Sequence, residues 1–87
     1  LLSKNISNNS APIILNASNE VLVNKFLKNQ IGFNTIFASL KRVFRDKDFK
    51  KYAIKRSPGI KEIYDIDNWA RKKTLRIIKR KRWKKIY

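Results

Sequence analysis

Between Ser10 and Phe33 the chain reads SAPIILNASNEVLVNKFLKNQIGF, its longest apolar stretch, with almost none of the charge that crowds the rest. Such a segment has to be covered, so the remaining elements are expected to pack on it. Ser10 can cap a helix, and Pro12 fits the first turn, where its missing N–H costs nothing. From there Ile13, Ile14, Ala17, Val21, Val23, Phe26 and Leu27 cover more than one face, as in a helix surrounded by other elements. Helix one is placed at about 11–29. Gln30 to Phe33 is the turn, and Gly32 suits a C-terminal cap. Asn16, Asn19 and Glu20 interrupt the apolar surface. Asparagine is a weak helix former because its side chain competes for backbone groups. A hydrogen bond to a neighbouring loop is the simplest account of these residues. A ligand or metal contact is the sharper one, and surface drift a third.

The following segments read as further helices. Asn34 can cap helix two, whose Ile36, Phe37, Leu40, Val43 and Phe44 recur at three- and four-residue steps and make one apolar stripe. Lys41, Arg42 and Arg45 take its polar side, and basic residues near its end complement the helix dipole. Asp46 to Arg56 has no clean period and reads as a connector, pinned by Phe49, Tyr52 and Ile54. Ser57 and Pro58 open helix three in the favoured order of cap and first position, with Ile60, Ile63, Tyr64 and Ile66 as its apolar face. A break is expected near Asp65 to Asp67, so that Asp67 caps helix four, at about 68–84. There Trp69, Ala70, Thr74 and Ile77 face one way, widened by Leu75 and Ile78. The expected fold is all-α, a small and mostly antiparallel four-helix bundle-like domain with a short third helix.

With 87 residues the chain is one small domain or a piece of a larger one. At this size only about 60% of the extended surface is buried on folding, which leaves stability marginal unless something else packs on it. Cysteine and histidine are both absent. That removes disulfides, thiolate metal sites, cysteine nucleophiles and the commonest general base. The acids Glu20, Asp46, Asp48, Glu62, Asp65 and Asp67 form no close pair with a base partner. Asp46 and Asp48 could hold a hard cation weakly, but a solvated loop is the plainer reading. The only glycines are Gly32 and Gly59, so no glycine-rich phosphate loop exists. These residues are therefore expected to hold no catalytic, cofactor-binding or metal site. No apolar run approaches the roughly 18 residues of a membrane span.

The motif Leu15-Asn16-Ala17-Ser18-Asn19-Glu20-Val21, then Phe26-Leu27, then Ile31-Gly32-Phe33 with Ile36, closely resembles the 1-deoxy-D-xylulose 5-phosphate reductoisomerases. Their C-terminal helical domain carries L-N-A-A-N-E, A-F-L and I-x-F-x-D-I in that order. Glu62 to Arg71, EIYDIDNWAR, is similar to the family's closing D-V-L-x-x-D-x-x-A-R. The resemblance covers 10–78, with 1–9 as a frayed N-terminal segment and 79–87 as a basic tail. It departs from the pattern at Ser18, where alanine is usual, and a backbone carbonyl one turn back is expected to accept that hydroxyl. The resemblance implies a C-terminal fragment, consistent with a start at Leu1-Leu2, from an enzyme of the non-mevalonate isoprenoid pathway. That enzyme uses NADPH and a divalent metal, magnesium or manganese, is a homodimer, and works in the bacterial cytoplasm or the plastid. Its cofactor and metal sites lie outside these residues, so the fragment alone is expected to be inactive. What carries over is support of the catalytic domain, with Asn16, Asn19, Glu20, Asp67 and Arg71 as structural residues at the domain junction.

Net charge is +16, from 22 Lys and Arg against 6 acids. That raises an alternative, a small basic nucleic-acid-binding module. From Arg71 to Lys85 ten of fifteen residues are basic and none is acidic. With Trp83 and Tyr87 interleaved, the run from Arg71 to Tyr87 could coat phosphates and stack a base. It also fits a basic segment lying on a membrane surface. Nonspecific polyanion binding at low salt is expected in any case. A duller source of the charge exists: Lys, Asn, Ile, Phe and Tyr fill about half the positions. These are the residues of AT-rich codons, and drift toward AT turns Arg into Lys without selection for a polyanion.

Overall fold

The computed structural model describes residues 10–54 and 56–85, with side chains as far as Lys79. The frayed segment placed at 1–9 and the aromatic side chains of the tail, Trp83 and Tyr87, lie outside the described residues. Four helices follow one another: α1 (Ala11–Leu27), α2 (Phe33–Arg45), the short α3 (Phe49–Tyr52) and α4 (Ile60–Lys85). The described residues contain no strand. None of these helices is long and apolar enough to cross a membrane.

Pro12 sits in the first turn of α1, as expected, and Ser10 is the N-cap residue, but its side chain makes no capping bond. Its backbone holds the helix start instead. The Ser10 carbonyl accepts from Ile13 and Ile14 N–H, and its own N–H donates to the Ile54 carbonyl at 3.3 Å. The C-terminus differs from the expected Gly32 cap. Asn29 takes the left-handed conformation at φ 60. Asn29 N–H donates to the Phe26 carbonyl and Gln30 N–H to the Lys25 carbonyl, both at 2.9 Å. This is the paired closure that commonly uses glycine, with asparagine in its place. Gly32 is freed to become the extended N-cap of α2, which starts one residue before Asn34.

α1 does not present apolar residues to neighbours all round. Ile14, Ala17, Ser18 and Leu22 form a single buried stripe. On α2 the stripe is Ile36, Ser39 and Val43, with Leu40 and Phe44 half-buried. Phe37 falls outside it, more than half exposed, with its ring edge-to-face against Phe33 at 5.3 Å. Both stripes pack on α4, and α1 makes the most extensive of these contacts. One core cluster joins Ile14, Ala17, Val43, Ala53, Ile66, Ala70 and Ile77. The other joins Leu22, Ile31, Ile36 and Ile78. Phe49, Tyr52 and Ile54 pin the connector to the first cluster, as expected. Tyr52 stacks on Trp69 with centroids 4.7 Å apart.

The third and fourth helices of the sequence reading are one helix, unbroken through Asp65 to Asp67. The side chain of Asp67 forms an ion pair with Arg71 one turn on and does not cap. Ser57 and Pro58 lie before the helix. Gly59 precedes Ile60, and its N–H donates to Glu62 Oε1 at 2.9 Å, half of a capping box. Arg56 reaches back to the same carboxylate, Nη1 to Oε1 at 3.0 Å. The fixed start leaves Ile60 89% exposed, with Ile63 and Tyr64 also exposed, so of the four residues expected to form an apolar face there only Ile66 is buried. Leu75 is likewise exposed, whereas Ala70, Thr74, Ile77 and Ile78 are buried.

Leu22→Ala should destabilise this chain by about 3 kcal/mol, through lost transfer energy and the cavity left behind. Leu27→Ala, at a side chain 73% exposed, should change it by less than about 0.5 kcal/mol. Urea unfolding of the chain by itself separates the two. Equal effects would contradict the single buried stripe on α1.

Candidate functional site

The sequence motif lies in the middle of α1, and the helix divides it between two faces. Ala17 and Ser18 turn into the core, while Asn16, Asn19 and Glu20 are exposed. With Val23, Asn24, Leu27 and Lys28 they line a shallow groove along the outer side of α1. The helical period dictates this. Positions 16, 19 and 20, 23 and 27 are spaced by three and four residues and share a face. It is an unusual face for solvent, with three amides, a carboxylate and a lysine set against Val23, 36% exposed, and the more exposed Leu27. Among the described residues neither Asn16 nor Asn19 is hydrogen-bonded through its side chain.

Glu20 is held from α4. Arg71 Nη2 donates to Glu20 Oε1 at 2.5 Å, and Arg71 Nε donates to Asp67 Oδ1 at 2.5 Å. The hydrogen bond to Asp67, then the one to Glu20, raises the Arg71 guanidinium above its ordinary value. Three of the five expected site residues thus form one network joining α1 to α4. Asn16 and Asn19 stand beside it on the same face of α1. All three charged side chains are more than a third exposed, so solvent screens the pairs and each contributes on the order of 0.5 kcal/mol.

Two features depart from the reading of the sequence. Asp46 is not in a solvated loop. Its Oδ2 lies 2.9 Å from Lys73 Nζ, with both side chains 17% exposed, and its Oδ1 accepts the Asp48 N–H at 2.8 Å. Burial pushes the Asp46 carboxyl up, but the hydrogen bonds from Lys73 and Asp48 N–H and the charges of Lys73 and Lys47 outweigh it and hold it below its ordinary value. No local spacing could have revealed this pair, because its partners meet only through the packing of α2 on α4. The second feature is Ser18. Its hydroxyl is fully buried and, against expectation, has no partner among the described residues, as is also true of Ser10 and Ser39. A carbonyl one turn back does serve Thr74, whose Oγ1 donates to the Ala70 carbonyl at 2.6 Å. Among the described residues no three metal-ligating side chains converge.

The family described as DXP reductoisomerase C-terminal domain matches residues 3–73. The chain is similar to the 1-deoxy-D-xylulose 5-phosphate reductoisomerase of Desulforamulus reducens, 41% identical over 70 residues, which are 80% of this chain and 17% of that protein. The reductoisomerase of Prochlorococcus marinus subsp. pastoris is 37% identical over 62 residues, 69% of this chain and 14% of that protein. That of Geobacter metallireducens is 36% identical over 69 residues, 79% of this chain and 17% of that protein. The chain therefore spans less than a fifth of the length of these curated relatives. No solved structure matches it.

Acid unfolding should expose the Asp46 pair. A carboxyl whose folded value lies below its unfolded one contributes stability at pH above the unfolded value and loses it as pH falls through the folded one. The contribution should be present above the ordinary 3.8 and disappear as pH drops below it. Asp46→Asn should lose it at neutral pH and flatten the acid limb of the stability curve. An unchanged acid limb would contradict the pairing. By contrast, Arg71→Gln should cost about 1 kcal/mol or less, with the loss shrinking in high salt.

Proposed function

The chain belongs to the DXP reductoisomerase C-terminal domain family, and from that premise we propose that it steadies the catalytic part of an NADPH-dependent 1-deoxy-D-xylulose 5-phosphate reductoisomerase. In this reading the parent enzyme rearranges and reduces its substrate to 2-C-methyl-D-erythritol 4-phosphate, as the non-mevalonate isoprenoid pathway requires. It does so as a cytoplasmic or plastid homodimer. The described residues do not fit a metal site, having no convergent set of ligands. The divalent metal, magnesium or manganese, and the nicotinamide are assigned to the rest of the parent chain.

The observation that carries the reading is the outer face of α1. It lies within the stretch the family matches, and it pairs exposed amides with an exposed valine and leucine. A face built for water has little use for Leu27. A face covered by another domain uses the apolar groups for burial and the amides to satisfy backbone groups on the partner. Arg71 and Asp67 hold Glu20 on its rim, so the charge at the junction is fixed before docking. The residues 10–78 act as the domain, and 79–87 extend beyond it.

Two measurements test this. The 87 residues alone should show no turnover of 1-deoxy-D-xylulose 5-phosphate with NADPH and magnesium, and detectable turnover would sink the proposal. In the full-length enzyme Leu27→Asp should lower stability by about 2 kcal/mol through a buried, unpaired charge, and reduce activity with it. The same change in the isolated chain should leave unfolding almost unaffected. Equal behaviour in the two settings would remove the outer face of α1 as the junction.

A further inference from the structure

The chain has seven arginines and fifteen lysines, and the side chains of Arg42, Arg45, Arg56, Arg71 and Arg76 are described. Arg56 is paired with Glu62, and Arg71 with Glu20 and Asp67. The other three all line one cleft between α2 and α4, with Asp46, Lys73 and Ile77. Arg42 and Arg45 lie three residues apart near the end of α2. Lys73 and Arg76 have the same spacing on α4. Each helix therefore presents two neighbouring cations to the gap.

The one carboxylate in the cleft is already engaged. Asp46 holds Lys73 at 2.9 Å, and among the described residues none of the three guanidiniums is paired with a carboxylate. The C-terminal dipole of α2 offsets about half a charge, which leaves more than two positive charges without compensation. Drift toward AT-rich codons does not account for this. That drift replaces arginine with lysine, yet the unpaired cations gathered here are arginines. Arginine differs from lysine in offering a rigid planar fork of donors that matches two oxygens at once. Three such forks around a cleft whose own carboxylate is neutralised suit an anion with several oxygens and more than one charge.

We propose that the α2–α4 cleft binds a phosphate-class oxyanion through Arg42, Arg45 and Arg76. Lys73, tied to Asp46, forms the neutralised floor. The proposal is independent of the junction on α1, whose residues lie outside the cleft.

The test is calorimetric titration of the protein, as its host makes it, with inorganic pyrophosphate at fixed ionic strength. Saturable binding is expected. Arg42→Gln, Arg45→Gln and Arg76→Gln should each weaken it about tenfold. Arg→Lys at the same positions should also weaken it, because lysine keeps the charge and loses the fork. Lys50→Gln and Lys61→Gln should leave it unchanged. All three arginines are exposed, so the variants should fold, and an unaltered thermal melt checks this. Absence of saturation overturns the proposal. So does equal weakening by Lys50→Gln and Lys61→Gln, which marks general attraction to a +16 chain. Full retention of affinity by the Arg→Lys variants overturns it as well.

Discussion

The approach of α1 to α4 sets the position of everything else in the bundle. Ala17 and Ser18 on α1 and Ala70 and Thr74 on α4 are fully buried, and all are small. Ala17 and Ala70 belong to one core cluster, with Ile14, Ile66 and Ile77 around them. Small side chains let helix axes come to the short end of the usual 8–10 Å range. Larger ones would push α1 outward, and with it the turn at Asn29 and the start of α2. The hydroxyl of Thr74 is satisfied within its own helix. Those of Ser10, Ser18 and Ser39 have no partner among the described residues, and an unmet buried hydroxyl costs about 1–3 kcal/mol. The packing therefore selects these positions for size ahead of hydrogen bonding, which is consistent with alanine as the family's usual residue at Ser18.

Much of the architecture was legible in the chain because it depends on period. The stripe of Ile36, Val43 and their neighbours and the inward set of Ala70, Thr74 and Ile77 follow from three- and four-residue spacing. The errors arose where spacing is silent. The run Asp65 to Asp67 looks like a break, since aspartate prefers caps, yet Arg71 pairs with Asp67 one turn later and the helix continues. Ser57 and Pro58 have the right chemistry for a start, but Glu62 satisfies Gly59 N–H and moves the start to Ile60. Gly32 has the chemistry of a terminator, but Asn29 takes the left-handed geometry that closes α1. The sequence reading counts Phe37 and Leu75 in the apolar stripes, yet both face outward, because each is turned about 100° round its helix from the middle of the buried arc.

The site residues divide in a similar way. Glu20, Asp67 and Arg71 were each marked by the family motifs, and the fold brings them into contact. Their joint network could not be read from spacing, because Glu20 is distant in sequence from the other two. Asp46 is a different case. That carboxylate carries no motif, yet it sits in the least exposed ion pair among the described residues. Motif and burial thus point to different surfaces of the molecule, one to the outer face of α1 and the other to the α2–α4 cleft.

The continuity of α4 has a mechanical meaning. At about 1.5 Å per residue its 26 residues span nearly the whole 43 Å length of the molecule. A hinge at Asp67 would have made two short levers that move separately. Without one, α4 is a single beam, pinned near its middle by the packing of Ile66, Ala70, Ile77 and Ile78 on α1 and α2. A displacement at the exposed Ile60 end has no joint in which to dissipate, so it must tilt the basic end in the opposite sense about those pins.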